Sequence, residues 1–83
     1  MKEKVTIITG GASGIGLATA KKLIEKQENV VIVDLNDEVE NIASNLGSCC
    51  LGIKCDVSNE EDVKNCIKKT LEHFGHIDCL VAN

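Results

Sequence analysis

The sequence contains no tryptophan, no tyrosine and a single phenylalanine, Phe74. It contains no arginine either, so all nine basic residues are lysines, and the net charge is −4. Nucleic-acid-binding surfaces combine clustered basic residues with aromatic side chains on which bases stack. We therefore expect no nucleic-acid partner.

Long apolar runs are also missing, since no stretch approaches the ~18 residues that indicate a membrane span. The first five residues lack the apolar region of a signal peptide. These absences predict a cytoplasmic protein with no membrane partner. The five cysteines are an odd number, form no C-x-x-C pair and lack zinc-ligand spacing. We expect them to be small, buried, unpaired hydrophobic residues in a reducing compartment, and we expect no metal site. The alternative is a zinc site that includes His73 or His76.

The 83 residues suffice for one small domain, in which short apolar runs alternate with segments of helical periodicity. This alternation predicts an α/β fold with a Rossmann-type, doubly wound parallel sheet in the strand order 3-2-1-4. The second run, Val30 to Val33, is the most apolar and is typical of a sheet centre. The half-polar third run is typical of an edge. The predicted strands are 4–9, 29–34, 49–55 and 77–82. The predicted helices run from 14 or 15 to 26, from 37 to 46, and from the cap at Ser58 to about 74.

Side-chain types also predict how the helices begin and which faces they bury. Asn36 is expected to cap the second helix, and Ser58 with Glu61 forms a capping box for the third. The residues expected to face the sheet are Ile15, Ala18 and Leu23, with Leu17, Ala20 and Ile24 as further candidates, in the first helix, Val39, Ile42, Ala43 and Leu46 in the second, and Val63, Cys66, Ile67, Thr70, Leu71 and Phe74 in the third.

A glycine cluster joins the first strand to the first helix in a T-G-x-x-x-G-x-G pattern, with glycines at Gly10, Gly11, Gly14 and Gly16. A loop without side-chain bulk lets backbone amides approach a ligand, and the positive end of the following helix favours an anion. The pattern therefore predicts a diphosphate site, to which Ser13 can also donate. The alternative is a structural turn without a ligand.

Acidic residues follow the second and third predicted strands. A carboxylate at Asp34 can accept hydrogen bonds from both ribose hydroxyls of an adenosine, and it would repel a 2′-phosphate. Because no arginine is present to attract that phosphate, this favours NAD over NADP. The alternative is a solvated loop residue or a helix cap. At the same sheet edge, Asp56 can accept from an exocyclic amine and Val57 can pair with a ring nitrogen, although Asp56 alone favours a structural role before a helix.

The glycine motif, Asp34 and the Asp56-Val57 pair follow one another along the chain. With these features in this order, the chain resembles over all 83 residues the N-terminal portion of a short-chain dehydrogenase/reductase. The resemblance also includes the final stretch, in which Asn83 matches the second Asn of the family's N-N-A-G motif and Ala82 replaces the first. It implies that the following residues bind the cofactor: Gly10, Gly11, Ser13, Gly14, Ile15 and Gly16 at the diphosphate, Asp34 and Leu35 at the adenosine ribose, Asp56 and Val57 at the adenine, and Asn83 near the ribose and the sheet centre.

The resemblance implies an NAD-dependent oxidoreductase that transfers hydride between nicotinamide and an alcohol or carbonyl substrate, as a homo-oligomer when full length. The family's catalytic Ser, Tyr and Lys lie in its second half, and the absence of tyrosine means that residues 1–83 lack this proton donor. We therefore interpret the chain as the N-terminal half of a dinucleotide-binding domain, with no catalytic residue. A stand-alone nucleotide-binding module without catalysis and a non-binding α/β interaction domain are the alternatives.

Overall fold

The structure is a computed structural model that describes residues 3–83, in which strands and helices alternate along the chain. The elements are β1 (Val5–Thr9), α1 (Gly14–Glu25), β2 (Asn29–Asp34), α2 (Val39–Leu46), β3 (Cys50–Lys54), α3 (Glu60–Phe74) and β4 (Cys79–Val81). The predicted alternation is confirmed, although β4 has only three residues. No helix within this part of the chain is long and apolar enough to cross a lipid bilayer.

The four strands form one parallel sheet in the order β3-β2-β1-β4, as predicted. From β3, at one edge, the chain crosses the sheet to place β4 on the far side of β1. The strand order therefore reverses beside β1, and the crevice at the carboxyl ends of the strands opens there. This arrangement is the Rossmann-type α/β fold.

The second strand supplies the centre of the core. Its four consecutive apolar residues, Val30 to Val33, are at most 1 % exposed because helices cover both faces of the sheet. Complete burial of each such side chain stabilises the fold by roughly 1.5–3 kcal/mol relative to exposure. The predictions of a central β2 and an edge β3 are both confirmed.

Alternation along the strands divides the core into two clusters, one on each face of the sheet. On one face, Ile8, Val30 and Ile32 pack with residues of α1 and α2. On the other face, Ile7 and Val31 pack with residues of α3. The doubly wound arrangement follows directly, since successive residues of each strand contact opposite helical layers.

The predicted buried face of α1 is wrong for Ile15, which is 76 % exposed, and for Ala18, which is also exposed. Ala20 is buried, and Leu23 and Ile24 pack against the core, as predicted. Gly16, which the prediction left out, is buried as well. In a helix, residues four apart share a face, so Gly16 and Ala20 define the buried stripe and Ile15 is rotated away from it.

The start of α2 also differs from the prediction. The helix begins at Val39, two residues after the predicted start at Asp37. Asn36 forms a turn before the helix, because its side-chain Oδ1 accepts from the Glu38 amide at 2.9 Å and its carbonyl oxygen accepts from the Val39 amide at 3.1 Å. The predicted buried residues of α2 all contact the core, with Val39 and Ala43 fully buried.

The capping box predicted for α3 is wrong. Asn59 is the capping residue, and its Oδ1 accepts from the Asp62 amide at 3.1 Å. Of the predicted buried face, Cys66 and Thr70 are buried and Val63 and Phe74 pack against the core. Two predicted residues of this face, Ile67 and Leu71, are instead 42 % and 45 % exposed.

Candidate functional site

The carboxyl ends of β1, β2 and β3 surround a cavity of about 210 Å³. Six of the residues predicted to bind the cofactor line this cavity, although they come from four separate loops and strand ends. Their proximity follows from the parallel sheet, which brings the carboxyl ends of its strands to one edge. The lining residues are Thr9, Gly10, Val33, Asp34, Leu35, Cys55, Asp56, Val57 and Asn83.

Asp34, the last residue of β2, connects two loops at this edge. Its Oδ2 accepts from the Ala12 amide in the glycine loop at 3.0 Å, and its Oδ1 accepts from the Asn36 amide at 3.1 Å. A carboxylate offers about four lone-pair positions, so two remain for further donors. The side chain is therefore fixed in place and still able to accept hydrogen bonds.

The glycine loop is attached to the same strand through a second contact, in which the Gly11 amide donates to the Val33 carbonyl at 3.2 Å. Two of its glycines are required by internal packing. A Cβ on Gly11 would lie 2.6 Å from Ile32 Cβ, and one on Gly16 would lie 2.2 Å from the Gly10 carbonyl oxygen. These two residues bring α1 close to the strands.

The start of α1 is exposed and carries no acidic residue in its first turn. Gly14 has a φ of +57°, a conformation that favours glycine. Within residues 3–83, no heavy atom apart from its chain neighbours and the adjoining helix backbone lies within 4 Å of where its Cβ would be. Ser13 precedes it in an extended conformation, and among residues 3–83 its side chain makes no capping hydrogen bond. The first amides of a helix lack partners within it, so donors and a positive dipole end face this open space.

Asn83 lies beside the glycine loop, where it forms hydrogen bonds with the end of β1 and with the loop. Its amide donates to Thr9 Oγ1 at 3.0 Å, and its side-chain Nδ2 approaches the Gly10 carbonyl oxygen at 3.4 Å. The Thr9 hydroxyl in turn donates to the Val81 carbonyl at 3.4 Å. These contacts join β4 to the loop at the carboxyl end of β1.

Asp56 forms the far wall of the cavity. Its Oδ1 accepts from both the hydroxyl (2.6 Å) and the amide (2.9 Å) of Ser58. These hydrogen bonds favour the charged form and lower the pKa of Asp56 from its ordinary value. Its own amide donates to Asp62 Oδ2 at 3.1 Å, which anchors the start of α3. The neighbouring Val57 also lines the cavity and is 58 % exposed.

Thr9, Val33 and Cys55 also line the cavity and were not predicted from the sequence. Each stands at or next to the carboxyl end of a predicted strand, so their positions alone could have identified them. Of the two histidines, which follow each other closely at the end of α3, His73 is exposed. His76 is partly buried, and its Nε2 lies 3.0 Å from the Glu3 carbonyl oxygen and 3.1 Å from Asp78 Oδ2.

The five cysteines are all unpaired in the structure. Cys50, Cys55 and Cys66 are buried as expected, whereas Cys49 is partly buried and the expectation is wrong for Cys79, which is exposed. Burial raises the pKa of the Cys50 thiol to about 11 and also raises the pKa values of Cys55 and Cys66. Over residues 3–83, no group of three or more His, Cys, Asp or Glu side chains is arranged to hold a metal ion.

Comparison with known proteins identifies the same pattern over nearly the whole chain. The family model for short chain dehydrogenase matches residues 4–83. Short-chain dehydrogenase reductase 3b of Arabidopsis thaliana is 44 % identical over 82 residues, which are 96 % of this chain and 32 % of that protein. Tropinone reductase-like 1 of Erythroxylum coca is 43 % identical over 84 residues, covering 100 % of this chain and 31 % of that protein.

A solved structure gives the same result for the fold. The crystal structure of a 3-ketoacyl-(acyl-carrier-protein) reductase from Brucella melitensis, complexed with NADH, superposes with a TM-score of 0.91 at 36 % identity. The match covers 95 % of this chain and 33 % of that chain. The sequence thus spans about a third of the length of the relatives that it matches. Because the family model covers the glycine loop, every strand and every helix, the chain belongs to the short-chain dehydrogenase family.

Proposed function

We propose that this chain is the NAD-binding part of a short-chain oxidoreductase, and that it forms the N-terminal half of the dinucleotide-binding domain. When bound, the dinucleotide supplies the hydride acceptor or donor for an alcohol or carbonyl substrate. The residues of this chain bind and orient the adenosine and diphosphate portions. Catalytic proton transfer is assigned to residues outside 1–83, because the sequence contains no tyrosine.

The observation that carries this proposal is the placement of the Asp34 carboxylate. It lies at the carboxyl end of β2, lines the cavity and contacts the glycine loop through the Ala12 amide. Two lone-pair positions of the Asp34 carboxylate remain after its hydrogen bonds with the backbone. This number matches the two hydroxyls of a ribose. We therefore assign Asp34, with Leu35 beside it, to the adenosine ribose.

The start of α1 fits the diphosphate. Ser13, Gly14 and Ile15 are consecutive and exposed, and the first turn has no acidic side chain that would repel an anion. The bare face of Gly14 leaves room for a phosphate to approach the backbone. Gly10, Gly11 and Gly16 support this site by letting the loop and helix pack closely, and we assign the same six residues to it as the sequence suggested.

The remaining cavity walls fit an adenine and the adjoining ribose. The hydrogen bonds from Ser58 favour the charged form of Asp56, which can accept from an exocyclic amine, and the backbone of Val57 can pair with a ring nitrogen. Asn83 lies across the cavity against Gly10. This arrangement supports assigning Asp56 and Val57 to the adenine and Asn83 to the ribose side.

The same geometry supports NAD over NADP. A 2′-phosphate would lie against the Asp34 carboxylate, and like charges at such a distance repel each other. The test is to replace Asp34 by alanine and to titrate NAD and NADP calorimetrically. A lost hydrogen bond to a charged group is worth about 1.5–3 kcal/mol, so we expect NAD affinity to fall about ten- to one-hundredfold and NADP affinity to fall less.

Glu25→Ala is the matched control, because it removes one exposed carboxylate at the far end of α1. Its affinity for NAD should equal that of the original chain. Since Asp34 also restrains two loops, the Asp34→Ala variant is first checked by circular dichroism for an unchanged folded spectrum. A folded original chain that binds neither dinucleotide, or equal losses for NAD and NADP, would contradict the proposal.

For the whole protein, we further propose a cytosolic location and a homo-oligomeric state. The location is supported by the unpaired state of all five cysteines, which is typical of a reducing compartment. The oligomeric state rests on the family resemblance alone. Sedimentation of the full-length enzyme tests it.

A further inference from the structure

Lys54, the last residue of β3, is the strand neighbour of Asp34 in the parallel register. Adjacent strands lie about 4.8 Å apart. Val30, Ile32 and Cys50 belong to the cluster on the α1 and α2 face, so alternation directs both Asp34 and Lys54 toward that face. A lysine thus stands next to the carboxylate that we assign to the adenosine ribose.

The ammonium group of Lys54 is directed to a different partner, Asp37. Its Nζ donates to Asp37 Oδ1 and forms an ion pair with it. The Asp34 oxygens meanwhile accept from the amides of Ala12 and Asn36. The ends of β2 and β3 therefore carry two carboxylates and one ammonium group, and the ammonium group is paired with Asp37 rather than with Asp34.

Asp37 lies in the loop between β2 and α2 because α2 begins only at Val39. Asp37 therefore precedes the helix, and its side chain pairs with Lys54. The hydrogen bond with Lys54 lowers the pKa of Asp37 and raises that of Lys54, so both groups are charged near neutral pH.

We propose that Asp37 is a specificity-determining residue that holds Lys54 in an ion pair and so denies a 2′-phosphate the cation at the neighbouring strand position. This inference rests on the proposed NAD-binding function. A 2′-phosphate carries negative charge that a free lysine on a flexible stem could approach and partly neutralise. When Lys54 is paired with Asp37, the three side chains of Asp34, Asp37 and Lys54 together carry a net negative charge, which repels the phosphate.

The test compares ADP-ribose with its 2′-phosphate by calorimetric titration of the chain, because these probes contain only the part of the cofactor that this chain is proposed to hold. We expect Asp37→Asn to raise the affinity for the 2′-phosphate on the order of fivefold, as befits an exposed charge contact. The affinity for ADP-ribose should stay within about twofold, since the ribose hydroxyls bind Asp34. The gain should diminish in high salt.

A double variant separates release of Lys54 from simple removal of negative charge. If Lys54 binds the phosphate, the gain from Asp37→Asn should disappear when Lys54→Gln is added. Glu60→Gln is the matched control, since Glu60 forms an exposed ion pair with Lys64 on α3 and its replacement changes the charge equally. This control should leave both affinities unchanged.

Two results would overturn the assignment of Asp37 alone: no gain in Asp37→Asn, or a gain that persists undiminished in the double variant. In either case the original chain would still bind ADP-ribose and lose that binding in Asp34→Ala. An original chain that binds neither probe would overturn the NAD-binding function and this inference together.

Discussion

Replacement of Gly16 by alanine tests the close approach of α1 to the glycine loop. The new Cβ would lie 2.2 Å from the Gly10 carbonyl oxygen and 2.9 Å from the Gly10 carbonyl carbon. Ordinary contacts of a Cβ are 3.4–4 Å, so the helix or the loop must move by about 1 Å. Both partners are main chain, and no side-chain rotation can relieve the contact.

The expected free-energy change combines two opposing effects. Overpacking of this kind costs typically 1–3 kcal/mol, and a contact this short with main-chain atoms belongs near the upper value. Alanine improves helix propensity by up to about 1 kcal/mol, which leaves a net loss of about 2 kcal/mol. An 83-residue domain has a free energy of unfolding of roughly 4–12 kcal/mol, so the loss is a substantial fraction. The Tm should fall by roughly 8–16 °C.

Urea unfolding followed by far-ultraviolet circular dichroism measures this loss, because the chain has neither tryptophan nor tyrosine as a fluorescent reporter. Ala18→Gly is the matched control, since Ala18 is an exposed residue of the same helix and the reverse exchange there reports helix propensity alone. A Gly16→Ala variant whose unfolding midpoint equals or exceeds that of the original chain would refute the packing argument.

Three further predictions concern the start of α3 and the thiols. Asn59→Ala should lower the free energy of unfolding by about 1 kcal/mol because it removes the helix cap, whereas Ser58→Ala should leave the cap intact; urea unfolding of both variants distinguishes them. Ser58→Ala should also raise the pKa of Asp56 toward its ordinary value, as followed by carbon-13 NMR. Because the pKa of Asp56 is lowered in the folded state, the hydrogen bonds from Ser58 stabilise the fold above the unfolded-state pKa, and this stabilisation is lost as pH falls through the folded-state pKa. The Ser58→Ala variant should therefore lose less stability on acidification than the original chain. An unchanged pKa of Asp56 in this variant would contradict the assigned cause. Cys79 should be alkylated by iodoacetamide before the other cysteines, because it is exposed whereas burial raises the pKa of Cys50, and peptide mass spectrometry would reveal any other order.

The sheet could be predicted because its signals are local. The uninterrupted apolar run of β2 requires cover on both faces, and the short connections leave few topologies for parallel strands. The grouping of Asp34, Asp56 and the glycine loop followed from the same reasoning, since parallel strands present their carboxyl ends at one edge. The strand order therefore also predicted which residues lie together at the carboxyl edge of the sheet.

The errors lie where a side chain had to be assigned a neighbour. Ile15 is apolar and Gly16 is not, yet the narrow space beside Gly10 admits only the glycine, and Ile15 consequently faces outward. Ile67 and Leu71 follow a helical spacing, but no residue of the described chain covers that side of α3 fully. Periodicity identifies a stripe on a helix and contains no information about the width of the surface that the stripe contacts.

The two backbone contacts of the Asp34 carboxylate have an entropic consequence. A surface aspartate ordinarily samples several rotamers, and immobilising such a side chain upon association costs free energy that reduces affinity. In this chain, the Ala12 and Asn36 amides already restrict the χ angles of Asp34 during folding. A molecule that binds this carboxylate therefore meets a preorganised acceptor, and its binding costs little further side-chain entropy.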